Sequence, residues 1–83
     1  MKIRVRLVAL ENLRQPPFDS EGDGVLDLPE GASLADVLAR LPLQGLGNVM
    51  TLLNDTPVPT DQRASTTLSD NDGIIIFPPL EGG

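Results

Sequence analysis

The sequence predicts an α+β domain: a mixed sheet of four to five strands with one main helix packed on one face. Three observations carry this. Residues 2–7, "KIRVRL", alternate charged and apolar, the period-two signature of a half-buried strand. Leu34, Val37, Leu38 and Leu41 recur at i, i+3, i+4 and i+7, which makes one apolar helix face and no second one. Residues 74–77, "IIIF", form a short unbroken apolar run, as expected of a strand covered on both sides, or by the core on one side and a partner on the other. A single helix in so small a domain can bury its one face only against one side of a sheet. The other side stays available.

The elements follow in chain order. The first strand spans residues 2–10. Ile3, Val5 and Leu7 point one way, and Lys2, Arg4 and Arg6 the other. Val8 falls on the charged side and breaks its pattern. Residues 11–23, "ENLRQPPFDSEGD", read as a long loop with one helical turn at 11–14, stopped by Pro16 and Pro17; Phe18 caps the core from it. "GVLDLPEG", 24–31, holds a second short strand that ends at Pro29 and is the hairpin partner of the first. Ser33 is a helix N-cap, with Asp36 as its capping-box partner and Pro42 as the stop. "VMTLLN", 49–54, is a third strand, followed by a turn at "NDTPV". Pro57 and Pro59 leave room only for a short edge strand near Val58. Residues 60–73 are polar, with Leu68 as the lone core residue before the last strand. First and last strands are expected side by side at the sheet centre, parallel, joined by the crossover that the helix supplies. The division is a folded domain at 1–77 and an extended tail at 78–83.

Composition narrows the function. The chain has 83 residues and no cysteine, so neither disulfides nor thiolate chemistry are available. It has no histidine, which removes the commonest general base and metal ligand, and its serines have nothing of that kind to activate them. Twelve acidic against six basic residues give a net charge of −6. That balance disfavours nucleic acid and anionic membranes and favours a basic partner for encounter, though it also serves solubility alone. No apolar run reaches the roughly 18 residues of a membrane span, and the N-terminus lacks the apolar stretch of a signal peptide; a cytoplasmic protein is expected. "DSEGDG", 19–24, lacks the register of a calcium loop, and turn chemistry accounts for its residues.

The informative segment is "FPPLEGG", 77–83. Phe77 anchors it in the last strand. Pro78 and Pro79 offer no N–H, so they end the strand and set a stiff, extended exit. Leu80 is an apolar anchor. Gly82 and Gly83 have no side chains and can thread a channel too narrow for other residues. The group delivered is an α-carboxylate, a poor electrophile until it is activated as a mixed anhydride with a nucleotide phosphate. The chain has no phosphate-cradling glycine loop, so a second enzyme must do this. From the residues alone, the chain is a carrier whose terminus reacts and whose body is a handle.

"FPPLEGG" preceded by "LSDNDGIIIF", together with "LDLPEGASLADVL", "ALENLR" and "LLNDTPV", resembles the MoaD/ThiS sulfur-carrier family of ubiquitin-like proteins. The resemblance implies a β-grasp fold. It implies that Gly83 is adenylated by a ubiquitin-activating-type enzyme using ATP and magnesium, then converted to a thiocarboxylate by way of a sulfur donor protein. The Pro-Pro ending and the length look most like the molybdopterin synthase small subunit, whose tail enters the large catalytic subunit and donates sulfur toward the molybdenum or tungsten cofactor. In that reading Gly83 reacts, Gly82 threads, and Val8, Phe77, Pro78, Pro79 and Leu80 meet the partner. No cofactor or metal is held by the chain itself, and the catalytic residues sit on the partner enzymes. Three other readings stand beside it: a carrier for thiamine or another sulfur pathway, a protein modifier joined through Gly83 to a lysine, and an interaction domain in which the glycines do nothing. Val8 and Phe77 have a plainer reading too, as residues that only pack against each other on the sheet.

Overall fold

The computed structural model describes residues 1–10, 17–41 and 49–78. Its elements run β1 (Lys2–Leu7), β2 (Asp23–Asp27), α1 (Leu34–Ala39), β3 (Met50–Leu53), β4 (Thr56–Pro57), a 3-10 helix (Thr60–Ser65) and β5 (Gly73–Phe77). They form one five-stranded sheet in the order β2-β1-β5-β3-β4. The expected class and topology both hold. β1 and β2 are an antiparallel hairpin, and β1 and β5 lie parallel at the centre. β3 pairs antiparallel with β5 and carries β4 at the far edge.

The alternation in β1 decides which way the sheet faces. Ile3, Val5 and Leu7 are buried, and Lys2, Arg4 and Arg6 are exposed. Ile74 and Ile76 of β5 join the buried set, as do Leu34 and Val37 of α1. Leu38 and Leu41 complete the helix stripe, partly buried against the same core. Phe18 is buried and caps the core from the loop, as expected. Gly24 makes room for it: a Cβ there would lie 2.8 Å from the Phe18 ring. The helix begins with the expected capping box. The Asp36 N–H donates to Ser33 Oγ at 3.3 Å, and the Ser33 N–H donates to Asp36 Oδ2 at 2.8 Å. Arg40 at its C-terminal end donates to the Asp27 carbonyl at 3.3 Å, tying helix to sheet.

Several elements differ from expectation. β2 spans Asp23–Asp27 and stops short of Pro29. β1 stops at Leu7 because Ala9 takes a left-handed φ of 56°. The edge strand is Thr56–Pro57, with Val58 just beyond it, its N–H donating to the Thr51 carbonyl at 3.0 Å. The polar stretch after Pro59 forms a 3-10 helix, from which the Arg63 guanidinium donates to the Val49 carbonyl. The turn expected at 11–14, and Pro16, lie outside the described residues. The acidic loop follows turn chemistry: Asp19 Oδ1 accepts from the Glu21 and Asp23 N–H groups at 2.9 and 3.0 Å.

Left-handed φ disfavours a β-carbon, and Ala9 has no side-chain hydrogen bond to offset it. Ala9→Gly is therefore expected to stabilise the fold by about 1 kcal/mol in urea denaturation. A loss of stability would contradict the assigned backbone.

Candidate functional site

The site is the sheet face opposite the helix, together with the tail it launches. In β5, Gly73, Ile75 and Phe77 alternate with buried Ile74 and Ile76, so they face outward. Leu7 is paired with Ile76, and the next N–H, that of Val8, donates to the Ile76 carbonyl at 2.9 Å. Val8 thus lies level with the end of β5, on its outer side, half-buried like Phe77. On the other flank Met50 is the register partner of Phe77, and Leu52 that of Ile75. Val8, Phe77 and Met50 form one row across the sheet, and Ile75 and Leu52 the row below.

β3 inverts the usual pattern. Thr51 is the buried residue, its hydroxyl donating to the Val58 carbonyl at 3.3 Å, while Met50 stands 45% exposed. A strand that turns its threonine inward and its methionine outward is spending apolar surface on something other than its own core. Met50, Leu52 and Ile75 are members of this patch that sequence reasoning missed. The alternation in "MTLL" was the available signal, but only the register with β5 shows which face it addresses.

The charged part of the face is largely self-neutralised. Register places Lys2 opposite Asp27 and Arg6 opposite Asp23. Arg6 Nε and Nη2 donate to Asp23 at 2.6 and 3.1 Å, a fork that lowers the Asp23 pKa through the hydrogen bond. Lys2 Nζ donates to Asp27 at 3.4 Å.

Pro78 follows β5 directly and is half-buried at the same end as Val8 and Met50. Pro79, Leu80, Gly82 and Gly83 lie outside the described residues. The structure thus brings Val8, Phe77 and Pro78 together at the root of the tail. Among the described residues, no cluster of His, Cys, Asp or Glu could hold a metal ion, and no helix is long and apolar enough to cross a membrane.

A five-stranded mixed sheet with parallel first and last strands, one helix on one face and a tail leaving the last central strand defines a ubiquitin-like β-grasp protein. Residues 16–83 match the ThiS family, and the chain belongs to it. An uncharacterized protein of Archaeoglobus fulgidus is 29% identical over 92 aligned positions, covering the whole of both chains. Among solved structures, the complex of subunits 1 and 2 of molybdopterin-converting factor from Helicobacter pylori contains a similar chain, 25% identical with a TM-score of 0.65 and full coverage of both. The small archaeal modifier protein SAMP1 of Methanosarcina acetivorans is 26% identical, with a TM-score of 0.66, over 99% of this chain and 96% of that one. The family and fold expected from the sequence are therefore established.

Proposed function

We propose that this chain is a sulfur carrier whose reactive group is the Gly83 carboxylate, acting as the small subunit of molybdopterin synthase. A ubiquitin-activating-type enzyme using ATP and magnesium joins that carboxylate to AMP and releases pyrophosphate. The terminal sulfur of a persulfide on a donor protein then displaces AMP to give an acyl disulfide. A second thiol cleaves its S–S bond, forming a disulfide with the donor and releasing the thiocarboxylate. The large synthase subunit takes up the tail, and the sulfur passes to its substrate. Because the activation consumes ATP, we place the protein in the cytoplasm. The chain binds no cofactor in this scheme and supplies no catalytic side chain.

The observation that carries this reading is the root of the tail. β5 is held by Ile74 and Ile76, both essentially fully buried, so the strand that precedes the tail is a firm mount rather than a frayed end. Pro78 starts the exit beside an outward apolar row, which couples docking of the sheet to delivery of the terminus. The similarity to a molybdopterin-converting factor subunit supports the pathway assignment.

The similarity to SAMP1 favours a second reading, a protein modifier in which an acceptor amine displaces AMP in place of sulfur. The two share activation and part at the nucleophile. Gly82→Val tests the part they share. A β-branched side chain next to the reacting carbon is expected to cut adenylate formation by about 100-fold or more, by displacing the terminus in a narrow channel. Wild-type rates in ATP–pyrophosphate exchange would refute threading. Isopeptide-linked Gly-Gly remnants on other proteins would select the modifier reading.

A further inference from the structure

The outward positions of β1 carry Lys2, Arg4 and Arg6, and those of β2 carry Asp23, Val25 and Asp27. Two carboxylates thus stand against three cations. The antiparallel register spends both on Arg6 and Lys2, and sets Arg4 opposite Val25. On its other flank Arg4 is paired with Gly73 in β5, which has no side chain to offer. Arg4 makes no ion pair among the described residues.

Arg4 is nevertheless held in place. Its Nε and Nη2 donate to the Asn71 carbonyl at 3.3 and 3.1 Å. A Cβ on residue 73 would lie 3.2 Å from Arg4 Nη2, so the glycine opens the lane across β5 in which the guanidinium rests. One edge of the guanidinium is therefore fixed from behind, and Nη1 donates to no acceptor among the described residues. Fixing a long cation before binding removes much of the entropy that an ion pair otherwise costs. The groove around it is lined by Val25 and Ile75, by the paired Arg6 and Asp23, and by Asp19 and Asp55. Asp19 and Asp55 repel an acidic run, so the groove suits a single carboxylate brought directly onto Arg4. Counted over the paired outward positions of β1 and β2 alone, cations exceed carboxylates by one, and that one is Arg4.

We infer that Arg4 is a specificity anchor of the sheet face, receiving a single carboxylate side chain from the protein that docks against Phe77. The inference rests on the carrier reading, which supplies the docking protein. It extends the contact from the apolar row at the tail root to the opposite end of the face, which fixes the rotation of the carrier and so the aim of its tail. Arginine is well suited to this, since it meets carboxylate geometry with two hydrogen bonds.

The test measures the affinity of the full-length chain for the purified adenylating enzyme of the same host by titration calorimetry. Arg4→Gln keeps an N–H donor for Asn71 and removes the charge; Lys2→Ala removes a β1 charge elsewhere and controls for long-range electrostatics. Arg4→Gln is expected to weaken binding by about tenfold and to flatten its salt dependence, with thermal unfolding unchanged, while Lys2→Ala stays within about twofold. If Phe77→Ala weakens binding but Arg4→Gln matches Lys2→Ala, the Arg4 inference alone is overturned. If the wild-type chain does not bind, the carrier reading falls and the inference falls with it.

Discussion

Removing Gly83 is expected to abolish sulfur transfer and to leave the fold untouched. Among the described residues, every buried residue of the core lies at or before Ile76, and the last strand ends at Phe77. A residue outside that core contributes within about 0.5 kcal/mol to stability. Function should respond in the opposite way. Loss of the terminal residue moves the carboxylate back by about 3.3–3.6 Å, the span of one extended residue. A shift of that size exceeds the misplacement that already costs about a hundredfold in rate. Thermal unfolding of the truncated chain should overlay the wild type while ATP–pyrophosphate exchange falls to background. A shortened chain that unfolds at lower temperature would mean that the tail packs on the body. One that is still activated would mean that Gly83 is not the reacting residue.

The second large effect is expected at the tail root. Val8→Asp and Phe77→Ala should weaken partner binding by about 100-fold, roughly 3 kcal/mol, and stability by about 1 kcal/mol or less. Both residues are half-buried on the outer face, so in the free protein an aspartate at 8 keeps access to water. Once a partner covers the row, the same carboxylate is stripped of solvent without a counter-charge, which is costly. The phenyl ring of Phe77 supplies contact area that alanine cannot replace. Affinity and urea unfolding measured on the same preparations separate the two roles. The reverse order of effects would make Val8 and Phe77 a private packing pair of the sheet.

Much of this was legible in the residues. Alternation in "KIRVRL" assigns every β1 side chain to a face, and Val8 announces itself as an apolar residue among cations. The helix stripe, the Ser33 cap and the "IIIF" strand follow from period and end chemistry, and the central parallel pair from the crossover rule. The 3-10 helix at Thr60–Ser65 was not legible, because its side chains are polar apart from Ala64, show no apolar period, and none is buried. β1 was expected to run to residue 10, since "VAL" has strand character; the left-handed turn at Ala9 is a tertiary outcome that propensity does not encode. In the site, Phe77 was marked by its place beside the prolines. Met50 and Leu52 were not, because short apolar strands look alike on both faces until a neighbour sets the register. Arg4 needed the same information: only pairing shows that Lys2 and Arg6 have taken the two available carboxylates.

The central claim is that Gly83 carries sulfur. The most direct measurement is intact-mass analysis of protein isolated from its native host, with fragmentation of the C-terminal peptide. Replacing oxygen by sulfur adds nearly the mass of one oxygen, and Met1 or Met50 can oxidise, so the added mass must be placed by fragment ions. The account predicts that the increment maps to Gly83 and disappears when the host's adenylating enzyme is deleted. Preparations from the intact host, isolated under conditions that preserve thiocarboxylates, in which Gly83 is unmodified or the increment maps to a methionine, would contradict it.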